Sequence, residues 1–139
     1  MKKATLSALF VALMLALAPA LAVRTNVNLL TLVDPQGTVS AGAADLAWTA
    51  ADVSNGNSFV MSGKEMIFVT NSDSVSHNVT ISSAPDVLGR TKDIGPYAVG
   101  AGKVSVFGPF NTHGWRQSDR SFYLAGDNAQ IKFAIVRLP

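Results

Sequence analysis

Glu65-Met66-Ile67-Phe68-Val69-Thr70, and after Asn71-Ser72-Asp73-Ser74 the run His77-Asn78-Val79-Thr80-Ile81-Ser82, decide the fold class. The first run is continuously apolar from Met66 to Val69, the pattern of a central strand covered on both faces. The second alternates. Val79 and Ile81 fall on one side because successive strand residues point to opposite faces. The short polar link between them predicts a β-hairpin.

Outward from this pair the same grammar repeats. Toward the C-terminus, residues 83–102 are loop-like, with Pro85, Gly89, Gly95, Pro96, Gly100 and Gly102. Lys103-Val104-Ser105-Val106-Phe107 alternates, Gly108-Pro109-Phe110 halts it, and Asn111 to Asp119 is a polar loop carrying Trp115. Ser121 to Leu124 is a strand and Gly126-Asp127-Asn128 a turn. In the last run, Ile131 to Leu138, the side chains of Ile131, Phe133 and Ile135 share one face. Toward the N-terminus, Phe59-Val60-Met61 is a short strand between the turns Ser54–Ser58 and Ser62–Lys64. Leu46-Ala47-Trp48-Thr49 reads either as a strand or as a loop whose Trp48 plugs one end of the core. Asn26 to Val33 is the first run, ended by Asp34-Pro35-Gln36-Gly37. No helical period follows residue 22. The pattern predicts an all-β domain, a single antiparallel β-sandwich (jelly-roll-like) of seven or eight strands. Ile67, Phe68, Val79, Ile81, Phe133 and Ile135 are expected inside it.

The first 22 of the 139 residues read differently. Lys2 and Lys3 precede an uncharged stretch, Ala4 to Ala18, and Ala20 and Ala22 are the small residues that a signal peptidase reads. The stretch is short for a membrane span. The expected organisation is a signal peptide, or a retained hydrophobic helix, over 1–22 and a β-sandwich over 23–139. The expected location is outside the cell or on a virion surface, with membrane contact only through the leader. Removal of the leader takes away two lysines, so nine Lys+Arg face nine Asp+Glu. The precursor's basic pI of about 9.2 therefore does not extend to the mature domain. With no basic stripe, nucleic-acid binding is not expected.

Chemistry-bearing patterns are sparse. The chain has no cysteine, which excludes disulfides and thiolate metal sites. His77 and His113 lack the close spacing of a metal pair. No serine sits in a Gly-x-Ser-x-Gly elbow. The turns Asn71-Ser72-Asp73 and Gly126-Asp127-Asn128 carry oxygen ligands, but turn chemistry alone accounts for both. Asn78-Val79-Thr80 is a glycosylation sequon. We therefore expect no enzyme activity, no cofactor and no metal. Contact residues are better represented. Tyr97, Phe110, Trp115, Arg116 and Arg120 are the candidate interface, being of the types that anchor protein contacts. Phe110 and Trp115 read equally as caps on the sandwich core. Arg24, Val27, Leu29, Leu30 and Leu32 form a candidate strand-addition segment.

From Arg24 onward the chain resembles a family of small head-decoration and structural proteins encoded beside the major capsid protein of tailed bacteriophages. The resemblance runs through an ordered set of segments. They are Arg24-Thr25-Asn26-Val27, Ala50-Ala51-Asp52-Val53-Ser54-Asn55-Gly56-Asn57-Ser58-Phe59, Gly63 to Asn71, Val79-Thr80-Ile81, Val104 to Phe110, and Phe133 to Leu138. It implies a compact β-sandwich that binds the outside of a capsid lattice as a decoration or cement protein. Its implied partners are capsid subunits and further copies of itself in a repeated assembly, and no catalytic residues carry over. The leader departs from the family, whose members begin near the position of Arg24 and assemble in the cytoplasm. That departure keeps a second expectation open: an exported surface or filament subunit in which Arg24 to Val33 adds to the sheet edge of the next copy. A third is an exported carbohydrate-binding sandwich with Trp115 and Tyr97 as stacking platforms. If the leader is an export signal, intact-mass measurement of the native protein places its N-terminus at Val23. A preserved Met1 or Lys2 terminus would show the leader to be retained.

Overall fold

The computed structural model describes residues 23–32 and 45–139. The leader over 1–22 and the turn Asp34-Pro35-Gln36-Gly37 lie outside the described residues. Within them the protein is all-β and contains no helix. Ten strands form: β1 Thr25–Asn26, β2 Leu29–Thr31, β3 Thr49–Ala50, β4 Asn57–Val60, β5 Glu65–Asn71, β6 His77–Ser82, β7 Ile94–Val99, β8 Val104–Phe110, β9 Ser121–Gly126 and β10 Ile131–Arg137. They make two five-stranded sheets around one core. The first has the order β1-β4-β9-β6-β7 and the second β2-β10-β5-β8, with β3 also paired to β10.

The sheets are mixed, not purely antiparallel. β1 runs parallel to β4 and β2 parallel to β10, while the other pairings are antiparallel. One extended segment explains both parallel pairs. It lies on the edge of the first sheet at Thr25–Asn26, then crosses to the second at Leu29–Thr31, always in the direction that β4 and β10 share. Val27, at the crossing, is buried in the core and donates its N–H to the Ser58 carbonyl (2.8 Å).

The expected hairpin between Glu65–Thr70 and His77–Ser82 does not form. β5 belongs to the second sheet and β6 to the first, so the link arches between the sheets. The buried Asn71 side chain shapes that arch. Its Nδ2 donates to the carbonyls of Val75 (2.7 Å) and Val99 (2.9 Å), and its Oδ1 accepts the Asp73 N–H. Ile67 and Val69 thereby face Val79 and Ile81 through the core instead of lying beside them in one sheet. β5 is central, between β10 and β8, and its outer face is less completely covered than its inner one. Its burial alternates, so Phe68 is half-buried on the outer face, beside Ala134 and Val106. The other residues expected inside, Ile67, Val79, Ile81, Phe133 and Ile135, are buried. The loop expected over 83–102 contains the strand β7, and Trp48, 38% exposed, does not plug the core. β7 was hidden by Gly95 and Pro96. Gly95 takes a φ of 112°, and a Cβ there would stand 2.5 Å from the Val79 carbonyl oxygen. Only glycine lets the backbones approach this closely.

Glu65 opens β5 and is fully buried. Its carboxylate accepts the N–H groups of Ser62 (2.8 Å), Gly63 (2.8 Å) and Lys64 (3.0 Å), the Ser62 hydroxyl, and Arg137 Nε (3.0 Å). Arg137 Nη2 continues to the Val60 carbonyl (3.2 Å). Burial pushes the Glu65 carboxyl up, but the hydrogen bonds from Ser62, Gly63 and Arg137 outweigh it and hold it below the usual range.

The ladders give the sandwich two distinct ends. Asn57 lies opposite Leu124, Val79 opposite Gly126 and His77 opposite Val99, and the N-terminal strand enters at this end beside Asn57. Val60, Ser82, Ile94, Phe110, Ser121 and Arg137 mark the other end, which carries the long loops and the C-terminus. Glu65→Gln should cost about 3 kcal/mol at neutral pH, because it leaves the Arg137 guanidinium and three inward N–H groups without their anion. A lowered carboxylate pKa contributes stability above its unfolded value that disappears as pH falls. The gap between wild type and variant in denaturant melts should therefore narrow below about pH 4.3. An equal gap at pH 7 and pH 3 would show that the charge is not what Glu65 supplies.

Candidate functional site

The loop end carries the most developed surface feature. Two loops meet there, residues 83–93 between β6 and β7 and residues 111–120 between β8 and β9. Each is braced internally. Ser83 donates both its N–H and its hydroxyl to Asp93 Oδ1 (2.8 and 2.9 Å), and its hydroxyl accepts the Lys92 N–H (2.7 Å). Asp86 closes a turn by accepting the N–H groups of Leu88 and Arg90 and pairing with the Arg90 guanidinium at 2.6 Å. That hydrogen bond from Arg90 holds the Asp86 carboxyl below its usual range. In the second loop Arg116 donates its N–H to Thr112 and Gln117 donates its N–H to Ser121. Arg120 adopts a left-handed φ of 69°, so that its N–H reaches Gln117 and its carbonyl accepts the N–H of Met61.

The loops are then bonded to each other. Ala84 donates its N–H to the Gly114 carbonyl at 2.7 Å, and Gln117 Nε2 reaches the Ser83 carbonyl at 3.1 Å. On either side of the Ala84–Gly114 bridge lies a hollow. One, of about 340 Å³, is lined by Ser83, Arg90, Thr91, Lys92 and Trp115. The other, of about 400 Å³, is lined by Pro85, Val87, Thr112, His113 and Arg116. Ala84, Asp86 and Gly114 line both.

The structure separates the five candidate interface residues. Trp115, Arg116 and Arg120 share the 111–120 loop, with Arg116 and Arg120 exposed. Phe110 is 7% exposed and belongs to the core, its ring edge-on to Trp115 at 5.0 Å and to Phe122 at 4.9 Å. Trp115 also stacks on Phe122 at 6.1 Å, so it caps the core while its outer side lines a hollow. Tyr97, 45% exposed, lies elsewhere, on edge strand β7, where it meets Phe107 of β8 edge-on at 5.2 Å and closes that side of the sandwich. Of the residues that complete the loop-end surface, Arg90 and Lys92 lie in the Gly-rich segment Gly89 to Gly102, which the sequence pairs with the 111–120 loop as a contact, while Val87 carried no recognisable signal.

The strand-addition candidates are engaged within the domain. Arg24 lies over the Tyr123 ring at 3.9 Å, Val27 is buried, Leu29 and Leu30 pair with β10, and the Leu32 N–H reaches the Arg137 carbonyl. At the opposite end from the loops, the two oxygen-rich turns converge on His77. Its Nε2 stands 2.9 Å from Asp73 Oδ2 and its Nδ1 3.2 Å from Asp127 Oδ1. The hydrogen bond from His77 is the main cause holding the Asp73 carboxyl below its usual range. No group of side chains among the described residues is arranged to hold a metal ion.

Trp115→Ala should lower the stability of the isolated protein by about 2 kcal/mol, less than for a fully buried ring because one side faces the hollow. An unchanged denaturation midpoint would mean that the ring rests on the core without supporting it. No protein-family model, curated protein or solved structure matches the chain.

Proposed function

We propose that the protein is a non-enzymatic structural protein of a virion, a decoration that binds the outside of a capsid lattice and bridges neighbouring subunits. One observation carries this reading. The braced loops 83–93 and 111–120 are fastened to each other at one end of the sandwich, and they present a preformed, cation-bearing surface at the end opposite Thr25, where β1 begins. A rigid surface of this kind binds without the entropic cost of ordering loops. Bridging subunits adds buried interface to a lattice and raises the barrier to its opening. The polar side chains in the interior also serve structure. Asn57, Glu65 and Asn71 are each committed to turns at the ends of strands.

The jelly-roll-like shell, the repeated assembly with copies of itself and the position on a virion surface belong to the same proposal. An exported filament subunit built by strand addition draws on the leader and on Arg24 to Val33 as a free donor strand. Its donor segment already pairs with β4 and β10 of its own domain and buries Val27 there. The purified protein, mixed with shells assembled from the major capsid protein of the same genome, should saturate a fixed number of sites per capsomer and raise the shell's disruption temperature. Failure of the folded protein to co-sediment with shells would overturn the proposal.

A further inference from the structure

The cations of the loop end are unevenly satisfied. Among the described residues the ion pairs are His77 with Asp73 and Asp127, Arg90 with Asp86, and Arg137 with Glu65. Lys92, on the rim of one hollow, and Arg116, on the rim of the other, have no carboxylate within 4.0 Å among those residues. Asp86, the single acid lining the hollows, is occupied by Arg90 and by two backbone N–H groups. Apolar surface stands beside these charges. Val87 is fully exposed and Leu88 is 73% exposed, at the tip of a turn held by Asp86.

We propose that the two hollows, joined across the Ala84–Gly114 bridge, form one docking groove for an acidic, extended segment of a partner protein. Its carboxylates would meet Lys92 and Arg116, and its apolar side chains would pack on Val87 and in the hollows. This rests on the lattice reading for the identity of the partner, and on charge complementarity for its chemistry. Two unpaired cations on opposite rims favour an anionic occupant long enough to straddle the bridge. Asp86 is taken up by Arg90 and Asp93 by Ser83, so neither acid forms an ion pair with Lys92 or Arg116 among the described residues, and the lining keeps an excess of positive charge. The loops are preformed, so the segment would order itself against a fixed template.

The groove can be probed without the partner. An alternating glutamate–leucine hexapeptide is titrated into the isotope-labelled full chain and followed by backbone amide shifts, with the lysine–leucine hexapeptide as counter-probe. The expected result is saturable shifts confined to residues 83–92 and 112–116 with the acidic probe only. Combined Lys92→Glu and Arg116→Glu substitution should weaken binding about 10-fold, since it replaces two exposed attractions with repulsions. Lys103→Glu, in the turn at the opposite end, makes a charge change of the same sign and should leave binding unaltered. Equal binding of both hexapeptides, shifts located elsewhere, or wild-type affinity in the double variant would each overturn the groove. All three substituted side chains are exposed, so an unchanged melting midpoint certifies that the variants are folded. The same double variant separates this inference from the one beneath it. Wild-type occupancy of capsid shells that the double variant matches removes the groove and leaves the lattice role standing. A wild-type protein that ignores shells but binds the acidic hexapeptide in the groove removes the lattice role alone.

Discussion

A single buried carboxylate holds the architecture in register. Glu65 stands where the chain leaves β4 of the first sheet and begins β5 of the second, and it lies directly across the ladder from Arg137 near the end of β10. Its oxygens gather the turn 62–64 through backbone N–H groups and fix Arg137, which in turn reaches back to β4 through the Val60 carbonyl. One ion pair thus ties both sheets and the C-terminal strand together. A one-residue slip of β10 against β5 would turn Phe133 and Ile135 outward, and it would also strand a buried anion. The second penalty adds to the first, because an unpaired buried charge costs several kcal/mol. In a chain without cysteine, this staple contributes positional specificity that a crosslink would otherwise provide.

Local strand character was legible in the sequence, and sheet membership was not. The alternation in His77–Ser82 and in Ile131–Ile135 identifies strands and their inward faces correctly, because a two-residue period is a property of the strand itself. The apolar run Met66–Val69 overstates the burial of Phe68, which is half-buried, since a continuous run does not say how completely each face is covered. The polar link after Thr70 misleads about pairing. A short polar segment closes a hairpin or an arch between sheets equally well, and here the choice falls to Asn71, whose amide bonds Val75 and Val99. Val99 is 28 residues away along the chain, so no local pattern announces the arch. β7 was obscured for a related reason. Its glycine and proline read as loop signals, yet Gly95 is there because the Val79 backbone comes too close for a Cβ.

The same division runs through the candidate site. The 111–120 loop stands out because it joins two clear strands and concentrates Trp115, Arg116 and Arg120. Its neighbour is set by long-range bonds from Ala84 to Gly114 and from Gln117 to Ser83. The ambiguity of the aromatics resolves by register. Phe110 lies opposite Glu65 at the end of β8 and points inward, whereas Trp115 follows on the loop and lies over it. The carboxylate pairing of His77 was also out of reach. Asp73 is four positions away, but Asp127 arrives from the β9–β10 turn only once β6 and β9 are adjacent.

The polarity of the sandwich links these observations to function. The edge segment that closes one side also fixes the end at which β1 enters the first sheet. β1 runs parallel to β4 and begins beside Asn57, at the end that carries the His77 cluster. The loop end lies a strand length away, on the order of 20 Å at about 3.3 Å per residue. A domain so arranged holds Thr25 and the loop end apart, with the two-sheet body between them. That geometry suits a bridge better than a filament link made by strand exchange. In strand exchange the donor segment would first have to give up Val27's place in the core and both parallel ladders. The proposed bridging role leaves the cis segment where it is, so it makes no demand on the pairings that stabilise the body.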